Sequence, residues 1–127
     1  QDQVNKCAAI IRGAVGYDPV LLRPPGGNYD NRLLGYAKEK GVSVVNWTVD
    51  TRDWESQNAD AVCAEVLNSV QDGDIILMHD LYPSTAEAVE RLVPVLIEQG
   101  YELVTVEELA QSREAVLESH VRYFDFH

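Results

Sequence analysis

Asp72-Gly73-Asp74-Ile75-Ile76-Leu77-Met78-His79-Asp80 is the stretch on which the reading of the fold turns. Asp-Gly-Asp breaks the chain into a turn, and the apolar run Ile75 to Met78 shows no alternation, as in a strand covered on both faces. Two polar, titratable side chains, His79 and Asp80, end that run abruptly. Just upstream, residues 59–70 place Val62, Cys63, Val66, Leu67 and Val70 on one helical stripe. Just downstream, Ser84-x-x-Glu87 reads as a capping box opening a helix with Val89, Leu92, Val93, Leu96 and Ile97 inward. Pro94 should kink that helix and Gly100 end it. Tyr101 to Val106 then reads as a last strand, followed by a short helix near Glu107–Ser112.

The same alternation extends toward the N-terminus. Residues 3–14 form a helix with Val4, Cys7, Ala8, Ile11 and Val15 on one face, ended by Gly16. Val20-Leu21-Leu22 is a short strand, and Pro24-Pro25-Gly26-Gly27 breaks regular structure. A helix over 31–40, capped by Gly41, leads to a buried, β-branched strand from Val42 to Val49. Asp50 to Asn58 is a polar loop. Strands alternating with helices of about ten residues mean βαβ units and a parallel sheet, hence an α/β fold. The tail from Glu114 to His127 is less regular and receives no role.

The chain has 127 residues, 46% of them apolar, which suits one compact domain and excludes a disordered tail. Its net charge of −11 repels nucleic acid and anionic membranes. No apolar run is long enough to span a membrane, and the first residues have no signal-peptide pattern. The start at Gln1 suggests a processed or excised piece. Cys7 and Cys63 lie on helical apolar stripes, where a buried unpaired thiol is the ordinary reading; a disulfide between them stays open. No zinc-finger spacing occurs.

Polar residues out of character with their surroundings share one kind of place. Arg23 follows Val20-Leu21-Leu22; Asp50, with Asp53 and Trp54 beyond it, follows the strand ending in Val49; His79 follows Met78. All lie at carboxyl ends of predicted parallel strands, the edge where barrels and open α/β sheets build sites. Each has an ordinary alternative: Arg23 as a strand cap, Asp50 and Asp53 as turn residues, His79 and Trp54 as packing. One such reason would have to apply three times. His120 and His127 fall in the irregular tail and read as structural or incidental.

Arg23-Pro24-Pro25-Gly26-Gly27, Asp50-Thr51-Arg52-Asp53-Trp54 and Leu77-Met78-His79 occur in this order. They resemble the third, fourth and fifth motifs of the NodB-type polysaccharide deacetylases, a carbohydrate esterase family that includes peptidoglycan and chitin deacetylases. Gly16-Tyr17-Asp18-Pro19 and the Gly100 to Val106 ending are also similar, so the resemblance covers residues 4–110. It implies a distorted (β/α) barrel with parallel strands and fewer than eight of them, and a divalent metal, usually zinc. Such a metal polarises the acetamide carbonyl and activates water. By the same resemblance, His79 matches the general acid, and Asp53 matches the carboxylate that orients it and favours its protonated form. Arg23 matches the arginine holding the catalytic base, Gly26 supplies the backbone N–H for the oxyanion, and Trp54 and Leu77 wall the acetyl methyl. Asp50 is a secondary candidate behind Asp53.

Two departures qualify the match. Gly26 stands where many members have an aromatic residue, which keeps the amide donor and removes the ring. The Asp-Asp pair and His-x-x-x-His of the first two motifs, which give the base and the metal ligands, have no counterpart here. The expectation is therefore that residues 1–112 are the C-terminal half of a deacetylase domain, with residues 113–127 a tail. No metal ligand is expected in this chain; the metal, the base and the partner half of the barrel would come from a missing or cleaved N-terminal half. The implied reaction is hydrolysis of N-acetyl, or secondarily O-acetyl, groups on a glycan in an extracellular or wall-facing bacterial setting. The alternatives are a catalytically inactive glycan-binding module on the same fold and an unrelated flavodoxin-like interaction domain.

Overall fold

A computed structural model describes residues 2–119 and 121–127, so the reading of His120 as structural or incidental lies outside the described residues. The elements run α1 (Asp2–Val15), β1 (Leu21–Leu22), a 3-10 turn (Pro25–Gly27), α2 (Asn31–Lys40), β2 (Ser43–Val45), β3 (Val49–Asp50), α3 (Asp53–Ser56), α4 (Ala59–Ser69), β4 (Ile76–Leu77), α5 (Pro83–Glu98), α6 (Val106–Ser112) and β5 (Arg122–Tyr123). The strands pair in parallel, β1-β2-β5 in one sheet and β3-β4 in another. The α/β class with parallel strands is thus present, with strands shorter than the apolar runs suggest. The chain divides into two compact units, Gln1–Asn46 with Val116–Tyr123, and Trp47–Ala115 with Phe124–His127.

In the first unit β2 is the buried centre, with Ser43, Val44 and Val45 all covered. Asp30 caps α2 by accepting from the Leu33 N–H at 2.8 Å, and Gly41, at φ 68, closes it in the left-handed conformation expected of a C-terminal glycine. Tyr36 and Ala37 bury the inner face of α2, and the Tyr36 hydroxyl donates to Asn5 on α1. α1 itself buries no residue fully. Val4, Ala8 and Ile11 are half-buried, whereas Val15 is 52% exposed. Cys7, expected in the core, is exposed, because only the Val4-Ala8-Ile11 row is covered; Cys63 is buried, and both thiols are unpaired.

The single strand expected over 42–49 is two strands. The Asn46 N–H donates to the Tyr123 carbonyl at 2.7 Å, while the N–H groups of Thr48 and Val49 both donate to Ile75 at 3.0 and 3.2 Å. Two different partners take the two ends, so the ladder cannot run through.

In the second unit α4 packs on α5 through Ala59, Val62, Cys63 and Val66 against Ala88, Leu92 and Leu96. Each large apolar side chain buried there stabilises the fold by roughly 1.5–3 kcal/mol. Leu67, Val89 and Ile97, expected inward, are exposed. The capping box at Ser84 and Glu87 does not form. Pro83 occupies the first turn of α5 with Tyr82 as N-cap, which places Ser84 inside the helix, and its hydroxyl has no partner among the described residues. A capping box does form at α6, where Thr105 and Glu108 satisfy each other's backbone N–H. α5 runs unbroken through Pro94. Of the run Ile75 to Met78 only Leu77 is fully buried, so the strand is not covered on both faces throughout.

Tyr101 to Thr105 forms no strand, and Val106 already begins α6. β-propensity alone does not make a strand; a ladder partner is required. The tail instead supplies β5. Farther on, the Phe126 N–H donates to the Gly73 carbonyl at 2.8 Å, Arg113 Nε donates to the Phe126 carbonyl at 3.0 Å, and His127 Nε2 lies 2.7 Å from Asp74 Oδ1. His127 is therefore structural, an anchor of the tail. No helix among the described residues is long and apolar enough to cross a membrane.

Candidate active site

The parallel register Val49↔Ile76 and Asp50↔Leu77 brings both chains out at the same sheet edge. Residues 51–54 and 78–80 consequently leave β3 and β4 side by side. The buried Thr51 hydroxyl donates to the Leu77 carbonyl at 2.8 Å and extends the pairing by one step. Asp50 Oδ1 accepts from the Arg52 N–H at 3.0 Å, an Asx turn, and Arg52 adopts a left-handed conformation at φ 49. That sharp turn starts α3 and drives Asp53, its first residue, inward.

Asp53 is 0% exposed, and its carboxylate is fully occupied. Oδ1 lies 2.7 Å from His79 Nδ1 and accepts from the Trp54 N–H at 3.0 Å. Oδ2 accepts from the His79 N–H at 2.6 Å and from the Thr85 hydroxyl at 2.8 Å. Burial works to raise the Asp53 pKa, but the hydrogen bonds from the His79 ring, the His79 N–H and Thr85 outweigh it and hold the carboxyl below its ordinary value. An ionised Asp53 fixes the ring tautomer, with the proton on Nδ1 pointing at the carboxylate. The His79 side chain is 32% exposed, and its Nε2 has no hydrogen-bond partner among the described residues. That nitrogen can give or take a proton at the surface of the site.

The other expected residues are placed as follows. Trp54, next to Asp53 on α3, is 48% exposed, and Leu77 on β4 is buried. Asp50 stands at the end of β3 with its carboxylate on the Arg52 N–H, not on Asp53 or His79. Arg23 and Gly26 belong to the first unit. Arg23 follows β1, is exposed, and has no hydrogen-bond or ion-pair partner among the described residues. Gly26 sits at φ 64 in the 3-10 turn, where a Cβ would meet Asn28 Nδ2 at 3.0 Å. The Gly27 and Asn28 N–H groups are used within the turn, donating to Pro24 and Pro25. Thr85 and Thr51 are the two polar side chains of the site that sequence reasoning missed. Their only sequence signal is a hydroxyl beside a strand end or in the first turn of the next helix.

A cavity of about 860 Å³ elsewhere in the second unit, lined among others by Gly73, Ile76, Leu96, Tyr101 and Leu103, contains none of these residues. No group of three or more His, Cys, Asp and Glu side chains among the described residues is placed to hold a metal ion. The metal implied by the resemblance does not fit the residues present, since the described residues offer no ligand set for it.

A buried carboxylate holding an outward-facing histidine at the carboxyl edge of a parallel sheet is an arrangement suited to acid–base chemistry. The polysaccharide deacetylase family model matches residues 1–45 of the chain. The chain is 36% identical over 98% of its length to peptidoglycan-N-acetylglucosamine deacetylase PgdA of Listeria monocytogenes, of which it covers 25%. Among solved structures, peptidoglycan deacetylase PdaC from Bacillus subtilis superposes with a TM-score of 0.83 at 36% identity, covering 88% of this chain and 54% of that one. A family 4 acetyl xylan esterase from Clostridium thermocellum, in complex with a cobalt ion, gives a TM-score of 0.86 at 31% identity, covering 98% and 63%. The fold is that of part of the NodB-type barrel. The chain spans about a quarter of the length of the curated relatives PgdA and PdaC.

Proposed function

We propose that the protein carrying this chain hydrolyses acetyl groups from an N-acetylated glycan such as peptidoglycan or a chitin-like polymer, with this chain providing the acid side of the reaction. Water adds to the acetamide carbonyl carbon, the C–N bond breaks, and His79 Nε2 delivers a proton to the departing amine as acetate leaves. Asp53 holds the ring so that Nε2 is the nitrogen presented. The Gly26 N–H is assigned to the oxyanion, Arg23 to the catalytic base, and Trp54 and Leu77 to the acetyl methyl, with Asp50 supporting the turn before Asp53. The base and a divalent metal, usually zinc in the family, are assigned to an N-terminal half outside these residues. A wall-facing bacterial setting follows from the same reading.

The observation that carries the proposal is the Asp53–His79 pair, at 2.7 Å with the carboxylate wholly buried. An intact, ionised orienting carboxylate supports an enzyme over an inactive glycan-binding module. Replacing His79 with Ala should lower acetate release from N-acetylglucosamine oligomers by about 10²–10⁴-fold, the usual contribution of a general acid, while the melting curve stays cooperative. Near-normal turnover in H79A would remove His79 from the acid role.

A further inference from the structure

Thr85 is a buried polar side chain whose place in the site no sequence motif explains. It is 3% exposed and lies in the first turn of α5, and its hydroxyl donates to Asp53 Oδ2 at 2.8 Å. The same oxygen receives the His79 N–H, leaving Oδ1 to the imidazole and the Trp54 N–H. Two of the four donors to the carboxylate are backbone groups whose positions the fold dictates. The imidazole is the group to be positioned. Among the described residues, Thr85 is thus the one side chain that can set the rotation of the carboxylate about its own bond without itself reacting. Its position at the N-terminal end of a 16-residue helix adds the favourable end of the helix dipole for an anion.

We propose that Thr85 is a positioning residue, which locks the Asp53 carboxylate so that Oδ1 faces His79 Nδ1 and Nε2 faces the reacting amine. This rests on the assignment of His79 as the acid. A side chain filling space alone would serve equally well as valine, which has the same shape without the hydroxyl. Serine keeps the hydroxyl and loses the methyl. The three roles of Thr85, packing, hydrogen bonding and orientation, can therefore be separated by substitution.

The test compares T85V, T85A and T85S in the protein by two readouts. The first is the downfield proton resonance of the His79 Nδ1–H on ¹⁵N-histidine-labelled protein, which reports the bond to Asp53 directly and needs no turnover. The second is kcat and KM for acetate release. T85S should keep the resonance and the rate. T85V and T85A should lose or broaden the resonance and lower kcat about tenfold, a loss of one hydrogen bond's orientation, at unchanged KM. Should T85V fail to fold, the T85A and T85S pair decides. Retention of both signals in T85V or T85A overturns the proposal, as does equal loss in T85S, since the hydroxyl would then not be the operative group. If H79A keeps its turnover, the acid assignment fails while the resonance arm still reports on Thr85.

Discussion

Replacing Asp53 with Asn tests whether the buried carboxylate holds the site together as an anion. Asp53 receives four donors, the N–H groups of Trp54 and His79, the Thr85 hydroxyl and the His79 ring. An Asn side chain offers one oxygen and one NH₂. Thr85 can rotate its hydroxyl and His79 can change tautomer, but neither backbone N–H can adapt. Whichever way the amide turns, one buried N–H faces an NH₂. A buried donor left unsatisfied costs about 1–3 kcal/mol, and the remaining bonds lose their charge assistance. D53N should therefore lose about 3 kcal/mol of unfolding free energy near pH 7, read from urea denaturation by tryptophan fluorescence. The dependence on pH gives a second reading. The folded pKa of Asp53 is depressed below the ordinary aspartate value, so its contribution is complete above that ordinary value and is lost as pH falls through the folded pKa. Protonated Asp53 is neutral like Asn, so the gap between the proteins should stay constant at higher pH and narrow only below it. Asp74 also has a lowered pKa, where burial is outweighed by hydrogen bonds from the Gln71 N–H, His127 and Thr48. Only the difference between wild type and D53N isolates Asp53. A gap under about 1 kcal/mol at neutral pH, or one that persists undiminished in acid, refutes the reasoning.

The remaining predictions concern the tail and the thiols. Gly73 stands at φ 96, and a Cβ there would lie 2.6 Å from the Phe126 carbonyl oxygen, so G73A should lower stability by about 1–3 kcal/mol. An unchanged melting temperature would show that the tail does not dock on this turn in solution. A thiol reagent should modify Cys7 rapidly in the native chain and Cys63 only after unfolding, because the first is exposed and the second buried; mass spectrometry of native protein with both modified would contradict the packing of α4 on α5.

The parts of the fold that were legible are those where one short signal and one long contact agree. The helix over 31–40 has its cap residue, its apolar face and its terminal glycine, and forms as read. Asp53 and His79 could be paired because each follows a strand, and parallel neighbours deliver such residues to one edge. What failed was every inference that needed a partner the sequence does not name. Val42 to Val49 has uniform β character, yet its two ends pair with different strands. Tyr101 to Thr105 has the same character and no ladder, while Arg122–Tyr123, in a tail without a clear pattern, lies beside β2. Ser84 and Glu87 match the capping pattern, but Pro83 moves the start of α5 two positions too early for it. Thr85 was illegible for another reason: a threonine in the first turn of a helix is ordinary, and its value comes from a carboxylate more than thirty residues away in sequence.

The pair also separates stability from chemistry within a single hydrogen bond. Active-site residues are often strained, so that replacing them stabilises the fold at the expense of activity. Asp53 does not fit that expectation, because its four hydrogen bonds join α3, the end of β4 and the start of α5. His79 is different. Its ring is one-third exposed, its backbone N–H stays on Asp53 Oδ2 whatever the side chain, and water can reach the vacated position at Oδ1. Loss of the imidazole should thus abolish proton delivery with little loss of stability. Loss of the carboxylate should cost both. Two variants of one contact, measured by the same melts and the same acetate release, should fall in different quadrants, and a common response from both would mean that Asp53 is no more than a ligand of the histidine.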